Sequence, residues 1–181
     1  NPSLRLYQAD DIYLSEIMPV LSDFGLVIID SFATVVKAAS GTRHLDTFHI
    51  QPPNADVDAF FERKALLIDA VEAVFARETT DDPLNRLVIS AGLSWAEVDV
   101  IRGYARYCRQ LNFKLSPSRM QEIMLQHPIM VHSLIQYFHA RLRPKSKNRG
   151  KEMETARQNV ADELRLIMTR DEDLTFSALF S

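Results

Sequence analysis

The first fifty residues alternate between strand-like runs and one run of apolar residues at helical spacing. "SLRLYQ" (3–8) predicts a strand. The helical run that follows consists of Leu14, Ile17, Met18, Leu21 and Phe24. Gly25 provides the conformational freedom that ends a helix. Two further runs, "LVIIDSFATVV" (26–36) and "RHLDTFHI" (43–50), predict strands on either side of a turn. The resulting order, β-α-β-β, is half of a ferredoxin-like unit.

A broad apolar stripe at helical spacing follows from residue 55 onward. It is interrupted only by Lys64 and predicts one amphipathic helix over residues 55–77. The stripe consists of Val57, Phe60, Phe61, Leu67, Ile68, Val71, Val74 and Phe75. No convincing fourth strand follows, so we expect the ferredoxin-like unit to be incomplete.

Capping signals then divide the chain into short helices. Asp82 before Pro83 predicts a helix start, and Gly92 predicts its end. "SWAE" (94–97) has the form of a capping box and predicts a helix that runs to about Leu111.

Two prolines and a linker define the remaining helices. Ser116-Pro117 predicts a helix start, and His127-Pro128 predicts an interruption, since the residue before proline avoids the helical region. A further helix runs to Pro144, and "PKSKNRGK" (144–151) is a basic, Gly-containing linker. The last apolar stripe predicts a helix over residues 151–169.

The pattern therefore predicts an α+β chain in three parts. Residues 1–80 form a partial ferredoxin-like β-α-β-β(-α) unit, and residues 81–144 form a mainly α-helical module. Residues 145–181 form a basic linker and a helix.

Composition narrows the class of protein. The 181 residues carry a net charge of −3, so the chain as a whole does not attract polyanions. Cys108 is the only cysteine, which excludes disulfides within the chain and fits a reducing compartment. No apolar run approaches the length of about 20 residues that spans a bilayer. We expect a cytoplasmic protein that does not enter a membrane.

The two ends of the sequence indicate an excised piece. The sequence begins without methionine, and "DEDLTFSALFS" (171–181) stops within an apolar pattern. That ending is expected to leave Phe176, Leu179 and Phe180 exposed unless more polypeptide follows them.

Motifs for cofactors, metals and catalysis are not found. The two glycines nearest to each other, Gly92 and Gly103, lie eleven residues apart, which rules out G-x-G-x-x-G and the phosphate-binding P-loop. The five histidines are never spaced at i, i+3 or i, i+4, so we expect no metal site. Cys108 lies on the apolar side of its helix and is best interpreted as a buried structural thiol. We therefore expect no catalytic, cofactor-binding or metal-binding residue.

Residues 89–110, "ISAGLSWAEVDVIRGYARYCRQ", also permit a helix-turn-helix interpretation. The first turn of the helix that would contact DNA, however, carries carboxylates, whose negative charge repels phosphate. Three arginines at i, i+4 and i+7 favour instead a contact face toward carboxylates of this module or of another domain. That face consists of Arg102, Arg106, Tyr107 and Arg109. A nucleic-acid-binding regulator stays the alternative, and we expect no nucleic-acid partner.

Widely spaced residues between positions 85 and 144 fit one pattern, N-R-L-V-x-x-A-G-L-x-W-R-E-V, then R-x-Y-x-R-Y-x-R-Q, H-P and F-x-A-R. The residues that fit it are Asn85, Arg86, Leu87, Ala91, Gly92, Leu93, Trp95, Val98, Arg102, Tyr104, Arg106, Tyr107, Arg109, Gln110, His127, Pro128, Phe138 and Arg141. With this pattern the region resembles the helical region of the large, bacterial-type NAD-dependent glutamate dehydrogenases. "YLSEIMPVLSDFGLVIIDS" (13–31) resembles the ACT-like segment that precedes this region in the family, and "RDEDLTFSALFS" (170–181) resembles the lead-in to its catalytic domain.

The resemblance implies a non-catalytic role within a larger enzyme. Family members oxidise L-glutamate to 2-oxoglutarate and ammonium with NAD, which belongs to the parent enzyme. The implied partners are the catalytic domain of the same chain and further copies in a homo-oligomer. ACT domains often bind amino acids at the first strand-helix loop, which here contains Asp10 and Asp11 and has no glycine. The implied role is regulation or assembly, and a stand-alone amino-acid sensor is the other alternative.

Overall fold

A computed structural model describes residues 2–8, 12–38, 41–53, 57–110, 115–142 and 149–180. They form two compact units, Asn1–Ser90 and Ala91–Ser181. The first unit combines a small sheet with helices, and the described part of the second is helical. The predicted α+β class is confirmed.

The sheet of the first unit consists of β1 (Ser3–Gln8), β2 (Val27–Ala38) and β3 (Gly41–Gln51). Helix α1 (Leu14–Asp23) connects β1 to β2. The strand order is β1-β3-β2 with antiparallel neighbours, so β3 lies between the two strands that α1 joins. This is the split β-α-β arrangement of a ferredoxin-like unit, as predicted.

Apolar side chains on one face of the sheet pack against α1. Phe48 and Ile50 of β3 are fully buried, as are Ile17, Leu21 and Phe24 at the inner face of the helix. Gly25 ends the helix with a φ of +77°, which confirms its predicted role.

The apolar stripe after the sheet forms two helices, α2 (Val57–Glu62) and α3 (Lys64–Phe75). The prediction of one unbroken helix is therefore wrong at Arg63. There the guanidinium donates hydrogen bonds to the carbonyls of Ile89 and Ser90, which a periodic pattern does not reveal.

The predicted capping signals before the second unit are confirmed. The Asp82 carboxylate accepts a hydrogen bond from the N–H of Leu84 over 2.9 Å. A 3₁₀ helix (Pro83–Arg86) leads into α4 (Leu87–Ser90). Gly92 follows with a φ of +67°.

The second unit contains five described helices. They are α5 (Trp95–Gln110), α6 (Pro117–Gln126), α7 (Pro128–Leu142), α8 (Arg149–Leu164) and α9 (Arg170–Phe180). The capping box predicted at the start of α5 is present, because the N–H of Ser94 donates to Glu97 over 2.8 Å. Ser116 caps α6, and α6 ends before His127-Pro128 as predicted.

Two expectations at the C-terminal end are corrected. Helix α8 ends at Leu164, because Thr169 and Glu172 form a second capping box that starts α9. Phe176 is fully buried within the unit, so the prediction that it is exposed is wrong, whereas Leu179 and Phe180 are half-buried.

Within the described ranges, no helix combines the length and the apolar character needed to cross a membrane.

Candidate functional site

The residues of the predicted contact face on α5 differ in their exposure to solvent. Arg102 is buried, and its guanidinium donates to the carboxylate of Asp99, one turn earlier on the same helix. Arg106 and Tyr107 are exposed, with Tyr107 exposed by 55%. The side chain of Arg109 lies outside the described residues. Arg102 therefore has a partner within its own unit, whereas Arg106 and Tyr107 face outward.

An apolar cavity of about 340 Å³ lies beside the outward face of α5. Helices α5, α7 and α9 line it with both aliphatic and aromatic side chains. Tyr104 meets Phe138 edge to face with ring centroids 5.7 Å apart, and Tyr137 lies 4.9 Å from Phe180. Arg141 supplies a cation to the lining. The cavity can accept an apolar or aromatic side chain.

A polar cleft lies between α5, α7 and α8, centred on Glu97 and His139. Their side chains are joined by a hydrogen bond of 2.7 Å. Burial raises the pKa of Glu97, but the hydrogen bonds from His139 and Ser94 outweigh it, so the pKa lies below its ordinary value. The ionised carboxylate thus connects the start of α5 to α7.

A second pair, His127 and Glu172, fixes α9 to the corner between α6 and α7. The distance from His127 Nε2 to Glu172 Oε1 is 3.1 Å. The hydrogen bond from His127, with a smaller one from Thr169, lowers the pKa of Glu172 to about 2. The ring of Phe176 meets His127 edge to face at 5.6 Å. The pair is therefore part of the packing of the unit.

The remaining described residues considered for catalysis or metal binding show no sign of either role. Cys108 is buried as predicted, and burial raises the pKa of its thiol. No group of three or more potential metal ligands occurs among the residues that the structure describes. The predicted effector loop cannot be compared with the structure, because Asp10 and Asp11 lie outside the described residues.

Sequence reasoning missed the pairs that join the helices of the second unit. Glu97 and His139 are 42 residues apart, and no local pattern indicates their meeting. The Thr169–Glu172 capping box could have been found, since its T-x-x-E form is the threonine variant of the S-x-x-E pattern recognised at residues 94–97.

Comparison with known proteins gives the same family for both parts of the chain. The family model described as "Glutamate dehydrogenase, ACT3 domain" matches residues 2–60. The model described as "Glutamate dehydrogenase, helical motif 3" matches residues 79–144.

Three similar proteins carry the name NAD-specific glutamate dehydrogenase. The one from Mycobacterium tuberculosis is 30% identical over 178 residues, 93% of this chain and 11% of that protein. The one from Halomonas elongata is 29% identical over 143 residues, 78% of this chain and 9% of that protein. The one from Pseudomonas aeruginosa is 26% identical over 159 residues, 86% of this chain and 10% of that protein. The chain thus spans about a tenth of the length of these relatives.

Proposed function

The chain belongs to the glutamate dehydrogenase family, and we propose that it forms a non-catalytic regulatory and assembly segment of an NAD-dependent member. The parent enzyme oxidatively deaminates L-glutamate to 2-oxoglutarate and ammonium, with NAD accepting the hydride. The observation that carries the proposal is the continuous succession of an ACT3 domain and helical motif 3 in one segment.

The residues of this segment do not fit NAD. Pyrophosphate binds where glycines bring backbone N–H groups to the start of a helix. Gly25 lies instead just after the end of α1, where exposed carbonyl groups repel phosphate. Gly92 lies in the turn between α4 and α5 without the further glycines of a G-x-G-x-x-G turn. No step of the reaction is therefore assigned to these residues.

The outward face of α5 supports an assembly role. Tyr107 lines the apolar cavity, and the neighbouring Arg106 on α5 is exposed. Aromatic residues and arginine are the side chains most enriched where proteins meet. The proposed partners are the catalytic domain of the same polypeptide and other subunits of a homo-oligomer. An amino-acid effector at the first strand-helix loop belongs to the proposal as its regulatory part.

We propose that the enzyme lies in the cytoplasm. The only cysteine of this 181-residue chain is a buried free thiol, which suits a reducing compartment.

The first test is catalytic. The 181-residue chain is incubated with glutamate and NAD, and the absorbance of NADH is followed. We expect no turnover, and turnover by this chain alone would overturn the non-catalytic assignment.

The second test uses the full-length parent enzyme. Arg106→Glu combined with Tyr107→Ala is expected to shift the subunit distribution in sedimentation velocity or the glutamate saturation curve. Arg157→Glu, the same charge change on the exposed surface of α8, is the matched control and is expected to do neither. If the double variant leaves both measurements unchanged, the α5 face has no role in assembly or regulation.

A further inference from the structure

An open groove runs along the outer edge of β1. It has a volume of about 650 Å³ and lies between β1 and helix α3 of the first unit. Leu4 and Leu6 form one wall, and Ile68, Val71 and Phe75 form the other.

The inward-facing side chains along this groove are only partly covered. On the central strand β3, inward-facing Phe48 and Ile50 have at most 1% of their surface exposed. Leu4 pairs with Phe48 across the sheet and points to the same face, yet it is only half-buried. On α3, Ile68 is 48% exposed. The apolar surface therefore extends beyond what the described residues of this unit cover.

The backbone of β1 is also open along this side. The N–H of Ile50 donates to the carbonyl of Pro2, which shows that Pro2 faces β3. Backbone groups alternate along a strand, so those of Ser3, Arg5 and Tyr7 face away from β3. Among the described residues no strand pairs with that edge.

We propose that the groove binds a β-strand donated by another part of the parent polypeptide, which pairs with β1 and completes a four-stranded sheet. The edge of β1 is where a ferredoxin-like unit carries its fourth strand. Relatives extend far beyond this segment, which spans 9 to 11% of their length, so the same polypeptide can supply the strand. In this respect the inference depends on the proposed function.

The geometry defines the chemistry of the donated strand. It needs about six residues to match β1, with apolar side chains at alternate positions above Ile68 and Phe75. The opposite edge of the sheet is less suited to pairing. Strand β2 carries a bulge between Ile28 and Asp30 and a lysine at position 37, features that oppose strand addition.

Amide hydrogen exchange tests the pairing directly. In the 181-residue chain, the amides of Arg5 and Tyr7 are expected to exchange rapidly, whereas those of Leu4 and Leu6 are protected by β3. In the full-length parent enzyme all four are expected to be protected. Rapid exchange of Arg5 and Tyr7 in the parent enzyme would overturn the proposal.

Arg5→Pro removes one N–H from the open edge, and Arg5→Ala removes the same side chain but keeps that N–H. Because the lost N–H faces away from β3, both variants of the 181-residue chain are expected to melt at the same midpoint. In the parent enzyme only Arg5→Pro is expected to speed exchange at Tyr7. Equal exchange in the two parent variants would contradict a donated strand.

A photo-crosslinking amino acid at position 68 identifies the occupant. In the parent enzyme we expect a crosslink to a peptide of the same polypeptide outside residues 1–181. The same group at position 32 on β2, where Phe32 is 57% exposed, is the control and is expected not to crosslink that peptide. A crosslink to β1 of a second copy or to a different protein, or no crosslink, would overturn the proposal. If one of these results is found but the α5 double variant Arg106→Glu/Tyr107→Ala alters the parent enzyme, the donated strand is excluded and the proposed assembly role is retained.

Discussion

Glu97 at the start of α5 accepts a hydrogen bond from His139 on α7, with 2.7 Å between Oε1 and Nε2. Its other oxygen, Oε2, accepts from both the N–H and the hydroxyl of Ser94. One carboxylate therefore closes the cap of α5 and joins two helices.

Glu97→Gln is expected to destabilise the second unit by about 1 kcal/mol or more, because an amide can present an acceptor to His139 or to Ser94 but not to both. Urea unfolding followed by the fluorescence of Trp95, the only tryptophan, measures the change. Glu122→Gln is the matched control. Glu122 is 61% exposed and pairs with Arg119 of its own helix, so a change within about 0.5 kcal/mol is expected.

The difference between the wild type and Glu97→Gln is expected to depend on pH. The folded-state pKa of Glu97 lies below its unfolded value. The stabilisation is therefore fully present above the unfolded pKa, about 4.3, and is lost as pH falls through the folded value. A difference that grows as the solution becomes acidic would contradict the assigned hydrogen bonds.

Gly25→Ala is expected to destabilise the first unit by about 1 to 2 kcal/mol, because the φ of +77° is unfavourable for alanine. The new Cβ would also lie 2.9 Å from Cγ of Arg86, an exposed side chain that can move away. Thermal melting of the single variant and of the double variant with Arg86→Ala separates the two causes. If the double variant regains the wild-type midpoint, contact with Arg86 and not φ is the cause.

Gly103→Ala provides the opposite case. Gly103 lies within α5, and apart from its two chain neighbours and the backbone of its own helix no described atom lies within 4 Å of the position that a Cβ would take. Alanine there is expected to stabilise the helix by about 0.5 to 1 kcal/mol.

Local signals explain which parts of the fold were predictable. The caps at Asp82, Ser94 and Ser116 and the end at Gly25 depend on residues within a few positions, so the sequence displays them directly. At the break between α2 and α3, Arg63 instead contacts carbonyls 26 and 27 residues away. A periodic pattern cannot contain that information.

At the candidate sites, too, some features are set by nearby residues and others by residues far away in the sequence. The apolar stripe of α3 was visible in the sequence, but which part of it is covered depends on the sheet. Ile68 and Leu67 are adjacent and both apolar, yet Leu67 is 2% exposed and Ile68 is 48% exposed. Likewise, the spacing of the arginines on α5 does not distinguish buried Arg102 from exposed Arg106.

Cys108 is expected to react slowly with Ellman's reagent in the folded chain. The thiol is 4% exposed, and its raised pKa reduces the fraction of reactive thiolate. If exposure requires a local opening of roughly 3 kcal/mol, the reaction is about a hundredfold slower than in urea. Equal rates in buffer and in urea would show that the thiol is accessible in the folded state.

Substitutions in α9 test whether the end of the segment belongs to the packed core of the second unit. Phe176 is fully buried against His127, whereas Phe180 is half-buried beside Tyr137. Phe176→Ala is expected to cost about 3 to 5 kcal/mol, since it removes a fully buried ring, and Phe180→Ala about 1 kcal/mol. Urea unfolding followed by Trp95 fluorescence measures both variants in the same unit. If Phe176→Ala costs no more than Phe180→Ala, α9 is not docked and its burial does not stabilise the unit. If Phe176→Ala costs more than Phe180→Ala, as expected, α9 is part of the core. Any polypeptide that follows α9 then starts from a fixed position on the helical module.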